Sequence, residues 1–189
     1  GTATKTTTYG YDTQWKDKLT TVGDKTIVYD NIGNPISYLG ATLTWEGRQL
    51  KSYKNDEYHI TYEYDENGMR YRTTAVDKTA EEDTVVNIDY VWLGEKLVSM
   101  VLSDDETYLA AKYLYDNSGE IIGFKWLNDT SIQSTYYFLK NLQGDITGVV
   151  SSTGKMQVSY SYDVWGNRTT KYHANTSTPI GLMEYVNQV

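Results

Sequence analysis

The sequence predicts an all-β fold, an array of about eight antiparallel β-hairpins forming a curled or spiralled sheet. Three observations predict it. An apolar residue followed two positions later by a key aromatic recurs eight times in the 189 residues, four of these pairs run into Tyr-Asp-x-x-Gly, and no stretch sustains a helical period. Residues two apart share one face of a strand, so each pair lays two side chains on the same side. Asp suits the first position of a type I turn because its carboxylate accepts a backbone N–H two residues on. Gly suits the fourth, where a positive φ is needed for a bulged hairpin.

In chain order the pairs are Tyr9/Tyr11, Ile27/Tyr29, Leu43/Trp45, Tyr62/Tyr64, Tyr90/Trp92, Tyr113/Tyr115, Tyr136/Phe138 and Tyr160/Tyr162. The key aromatics stand 18, 16, 19, 28, 23, 23 and 24 residues apart, room for one hairpin and a return each time. The full turns are Asp30-Asn31-Ile32-Gly33, Asp65-Glu66-Asn67-Gly68, Asp116-Asn117-Ser118-Gly119 and Asp163-Val164-Trp165-Gly166, following Tyr29, Tyr64, Tyr115 and Tyr162. Trp45-Glu46-Gly47-Arg48-Gln49-Leu50 and Trp92-Leu93-Gly94-Glu95-Lys96-Leu97 share a shorter pattern, read as a tighter turn around Gly47 and Gly94. Looser turns are expected in the first unit, where Trp15 stands in place of Gly, and in the seventh, from Leu139 through Gly144 to Asp145. Between them lie β-formers such as Val85-Val86-Asn87-Ile88. The array is expected over residues 1–172, with an exit loop and truncated C-terminal segment over 173–189.

Composition narrows the function classes. Nineteen Tyr and five Trp beside two Phe give rings with a polar tip, suited to surfaces half dry and half wet. A net charge of −8 argues against nucleic acid as a partner, since phosphate binding needs clustered Lys and Arg. The absence of Cys removes disulfides and thiolate metal sites, and no run is long and apolar enough for a membrane span.

On these motifs the chain resembles the YD-repeat, or rearrangement-hotspot (RHS), proteins, which include bacterial wall-associated proteins and toxins. The resemblance covers nearly the whole chain and is most specific from Tyr136 to Arg168, where Tyr-Tyr-Phe-Leu-Lys-Asn-Leu-Gln-Gly-Asp-Ile and Tyr-Ser-Tyr-Asp-Val-Trp-Gly-Asn look like the late part of an RHS core. It implies a β-sheet of hairpins spiralling into a hollow shell, often around a variable C-terminal toxin. The family's closing Asp-Pro-x-Gly motif is missing, so no autoproteolytic Asp is carried over.

Each candidate for chemistry has a structural reading beside it. Asp30, Asp65, Asp116 and Asp163 sit where the turn alone wants Asp. Asp65-Glu66-Asn67-Gly68 lacks the alternating acids and distal Glu of a calcium loop. Glu81-Glu82-Asp83 and Asp104-Asp105-Glu106 read as solvated loop tips. His59 and His173, the two histidines, signal neither a metal pair nor a Ser-His-Asp set. Asn-x-Ser/Thr triplets at Asn128, Asn167 and Asn175 read as chance.

The expectation is a non-catalytic, cofactor-free structural segment of a secreted or cell-surface bacterial protein, contributing wall to a shell that encloses or presents a C-terminal toxin. Its partners would be neighbouring repeats, with possible self-association through sheet edges. The competing expectation is a cell-wall or glycan-binding adhesion module in which the aromatic hairpins stack on sugars.

Overall fold

The computed structural model describes residues 7–79, 81–104, 108–128, 131–164 and 166–173. Trp165, Asp105-Glu106, the Asp129-Thr130 part of one glycosylation triplet, Asn175 and the expected C-terminal segment from residue 174 onward lie outside the described residues. Every regular element among the described residues is a β-strand. The chain divides into two compact units, residues 1–87 and 88–189.

The first unit opens with a three-stranded sheet of β1 (Tyr9–Tyr11), β2 (Leu19–Val22) and β3 (Lys25–Thr26). It continues as a meander in which each strand pairs antiparallel with the next: β4 (Val28–Tyr29), β5 (Pro35–Tyr38), β6 (Ala41–Glu46), β7 (Gln49–Lys54), β8 (Tyr58–Tyr64) and β9 (Arg70–Asp77). The boundary between the units falls within β10 (Thr84–Leu93). The second unit is a meander of the same kind, made of β11 (Lys96–Ser103), β12 (Tyr108–Tyr115), β13 (Ile121–Asn128), β14 (Ser131–Lys140), β15 (Ile146–Ser151), β16 (Met156–Tyr162) and β17 (Arg168–Tyr172).

Alternation in sequence becomes alternation in burial. In β6, Ala41 and Leu43 are buried while Thr42 and Thr44 face solvent, the period of two that a half-covered strand requires. The first unit's core is Ile60, Tyr62 and Ala75, with Leu50, Tyr53, Tyr58 and Tyr64 packed against it. In the second unit the register sets Tyr113 opposite Phe124, and Phe124 opposite Tyr136, in one row. Phe124 is fully buried, with its ring centroid 5.2 Å from Tyr136 and 5.6 Å from Phe138. The next row runs Phe138, Val149, Val158. Tyr71, Val85, Val91, Ile122, Tyr137 and Leu139 are exposed.

Candidate functional site

The sequence-predicted positions gather at the hairpin ends, where six turns share one hydrogen-bond pattern. They begin at Asp30, Asp65, Asp116, Asn141, Ser151 and Asp163, and in each the N–H of the Gly three residues on donates to the first residue's carbonyl. The first residue's own N–H donates four residues on, as from Asp65 to Met69 (2.9 Å). Its side-chain oxygen also accepts from that fourth residue's N–H, so Asp65 Oδ1 takes Asn67 and Met69, each at 2.9 Å. Gly33, Gly68, Gly119, Gly144, Gly154 and Gly166 close these loops with φ between 78° and 93°. This is a type I turn followed by a left-handed Gly, which leaves one extra residue on the returning strand. In five of the six hairpins the register also slips three residues beyond that Gly, past Ile36, Tyr71, Ile122, Thr147 and Gln157.

One of these turns differs from expectation. The seventh unit closes through the same tight loop, because Asn141 performs the work of Asp: its Oδ1 accepts from Gln143 (3.0 Å) and Asp145 (2.9 Å). Ser151 does so with a hydroxyl, accepting from Lys155 N–H. The readable signal was therefore Asx or Ser followed three residues later by Gly, with or without a preceding Tyr. The first unit takes a longer path, in which Asp12 caps Gln14 and Trp15 and its N–H reaches the carbonyl of Lys18. Gly47 (φ 59°) and Gly94 (φ 61°) each begin a two-residue loop, with Glu46 directly opposite Gln49 in the first.

The tyrosines ahead of the turns join one hairpin to the previous one. Tyr29, Tyr64, Tyr115 and Tyr162 donate their hydroxyls to the carbonyls of Leu19, Leu50, Leu97 and Ile146, at 2.7, 2.9, 2.8 and 2.8 Å. The reason lies in the ladders. Pairing of β7 with β8 ends at Ser52–Thr61, pairing of β11 with β12 at Ser99–Lys112, and pairing of β15 with β16 at Gly148–Ser159. Strands that diverge toward separate turns leave the first carbonyl beyond the ladder without a main-chain partner, and the tyrosine hydroxyl supplies one. Leu50 and Leu97 are the last residues of the two Trp-x-Gly patterns, so a Trp hairpin and the Tyr-Asp hairpin after it form one two-hairpin module.

Bonds also lead onward to the next module. Trp45 Nε1 donates to the carbonyl of Pro35 (2.7 Å), and the buried Asn34 amide donates to Asp30 Oδ2 (2.9 Å) and to the carbonyl of Gly47 (2.7 Å). Lys140 meets Glu120, the counterpart of Asn34, at 2.9 Å. Trp92 is half-buried. Cations lie over the same rings: Lys18 over Tyr29, Lys51 and Arg70 over Tyr64, and Lys96 over Tyr115.

These contacts set the electrostatics. Burial pushes the Asp30 carboxyl up, but hydrogen bonds from Asn34, Ile32 and Gly33 outweigh it and hold the group below its ordinary value. Asp116 is held down first by the Ser118 hydroxyl and then by the Glu120 N–H. The Tyr113 phenol is pushed up to about 12 by burial, with Tyr115 and Tyr90 adding to the effect. Among the described residues no three acids, histidines or cysteines gather as a metal cage. The structure does bring Ser159 of β16 and His173, the residue after β17, together, Oγ to Nε2 at 2.8 Å and exposed to water. A cleft of about 240 Å³ in the first unit is lined by Trp15, Asp17, Lys18, Tyr29 and Gly33.

An all-β meander in which four turn tyrosines fasten their hairpins to the one before defines a hairpin-repeat scaffold. The chain is an RHS/YD-like protein, as two comparisons agree. It is 31% identical over 157 residues to the tRNA nuclease WapA of Bacillus subtilis strain 168, and 30% identical over 157 residues to the tRNA3(Ser)-specific nuclease WapA of Bacillus spizizenii. Each match covers 81% of this chain and 6% of the relative, so the chain spans a small fraction of their length. Its fold is similar to the crystal structure of TcdB2-TccC3 without the hypervariable C-terminal region, with a TM-score of 0.57 at 14% identity over 89% of this chain and 10% of that one. No protein-family model matches the chain.

Proposed function

We propose that the chain is a non-catalytic wall segment of a secreted or cell-surface RHS/YD-repeat protein, one stretch of a β-shell that encloses or presents a C-terminal toxin. The observation that carries this reading is the use made of the motif residues. The turn aspartates accept main-chain N–H groups, and the four turn tyrosines donate to carbonyls of the preceding hairpin. Side chains so engaged hold repeats together. The nuclease activity in the relatives' names belongs, on this reading, to a part of those proteins outside the matched region. Neighbouring repeats of the parent chain are the partners it assigns.

Two measurements test it. Incubated with total tRNA, this chain should leave the RNA intact, and cleavage above a buffer control would overturn the non-catalytic reading. In the parent protein, deleting these repeats should expose the C-terminal region to limited proteolysis. Unchanged digestion would remove the wall role.

A second reading, glycan binding through aromatic hairpins, is favoured by the Trp15 cleft, where a 70% exposed indole stands beside Asp17 and Lys18. Calorimetry against cell-wall glycan fragments separates the two. A saturable isotherm abolished by Trp15→Ala supports adhesion, and no heat at millimolar ligand supports the wall.

A further inference from the structure

Asn67-Gly68 is the single Asn-Gly pair in the sequence, and it occupies the last two positions of the Asp65 turn. Asn followed by Gly is chemically labile because a residue without a side chain leaves its amide nitrogen free to approach the Asn side-chain carbonyl. The four other turns of this geometry that are described throughout carry Ile32, Ser118, Gln143 and Thr153 at that place. None of these can close a five-membered imide.

We infer that Asn67 is a deamidation site which the folded hairpin holds closed and which any opening of the β8–β9 turn releases. The Gly68 amide nitrogen attacks the Asn67 side-chain carbonyl carbon, forming a C–N bond. The bond to the side-chain nitrogen breaks, and that nitrogen leaves as ammonia, carrying the proton Gly68 gives up. Water then opens the succinimide at either carbonyl, to Asp or to isoaspartate. No other reactant is required.

Three features of the turn oppose the first step. The Gly68 N–H is engaged with the Asp65 carbonyl at 3.0 Å, and the Asn67 N–H with Asp65 Oδ1 at 2.9 Å. The third position of a type I turn has ψ near 0°, and ring closure requires Asn67 to rotate away from it. Gly68, at φ 80°, would have to leave the left-handed region as the loop opened. The isoaspartate product cannot be accommodated afterwards. Isoaspartate adds a backbone atom between Asp65 and Gly68, so the 2.9 Å closure from Asp65 N–H to the Met69 carbonyl no longer fits the loop. The site therefore records openings irreversibly: a chain that reacts to isoaspartate while unfolded loses the tight hairpin.

The test is peptide mapping by mass spectrometry of the full chain held at mildly alkaline pH, native and in denaturant. A gain of one mass unit or a succinimide should appear at Asn67 in denaturant well before Asn117. It should be slowed at least ~10-fold in the native chain, the factor that a local opening free energy of about 1.4 kcal/mol imposes. Asp65→Ala, which removes the capping carboxylate, should bring the native rate toward the denatured one while leaving the denatured rate unchanged. Equal native and denatured rates in the unmodified chain would overturn the inference, as would an unreactive Asn67 in denaturant. So would an unchanged native rate in a folded Asp65→Ala chain.

Discussion

Tyr64→Phe isolates the hydroxyl-to-carbonyl lock, because it deletes one oxygen and leaves the ring in place against the Ile60, Tyr62 and Ala75 core. Lys51 and Arg70, 5.9 and 5.8 Å from the ring centroid, keep their aromatic partner. What is lost is the 2.9 Å bond to the Leu50 carbonyl, and a neutral intramolecular hydrogen bond contributes about 0.5–1.5 kcal/mol. Leu50 and Tyr64 are both half-buried, so water can reach the freed carbonyl and the larger cost of a sealed, unpaired group does not apply. The expected loss is about 1 kcal/mol. Tyr162→Phe makes the same deletion at a ring 42% exposed, with a 2.8 Å bond already competing with solvent, and should cost clearly less. Urea titrations followed by far-UV circular dichroism measure both, with the slope checked for constancy so that a midpoint shift reads as stability. Equal losses at the two positions, or none at Tyr64, would refute the argument that these hydroxyls complete ladders that end early.

Gly119→Val should cost about 1–3 kcal/mol, because a β-branched residue is strained at φ 87° and its Cβ would stand 2.5 Å from Lys96 Nζ. Lys155→Val, at an exposed position beside a turn, should cost far less in the same titration. Acid should weaken the turns: Asp30 and Asp116 are held below their unfolded values, so their contribution is present above the unfolded carboxylate range and is lost as pH falls through the lower folded values. Asp30→Asn with Asp116→Asn should flatten the fall in thermal midpoint below about pH 4, and an unchanged slope would count against these two groups. At the alkaline end Tyr113 is raised from 10 to about 12, so the folded chain keeps its proton longer and stability falls between those values. Tyr113→Phe should remove about 2–3 kcal/mol of that alkaline loss, by the conversion of two pKa units.

The local devices were legible in the sequence because each is decided within about five residues. Asp30, Asp65, Asp116 and Asp163 specify their turns through their own carboxylates, and Gly33, Gly68, Gly119 and Gly166 accept the positive φ there. The alternation of Tyr62 with Tyr64, or Leu43 with Trp45, announced strands for the same reason. Asn141 and Ser151 were harder to read, because their turns follow Lys140 and Val150 rather than Tyr-Asp, although Gly144 and Gly154 lay at the right distance. What only the tertiary structure decided is where the turn tyrosines reach. A backbone carbonyl looks alike at every position of a sequence, and Leu50, Leu97 and Ile146 become acceptors only because the neighbouring ladders stop short of them. The joining of a Trp hairpin to the following Tyr-Asp hairpin follows from that geometry, and the meeting of Ser159 with His173, just past β17, likewise needs the pairing of β16 with β17. Turn chemistry is local and is written in side chains, whereas the cohesion of the array depends on main-chain groups whose partners exist only once the strands have diverged.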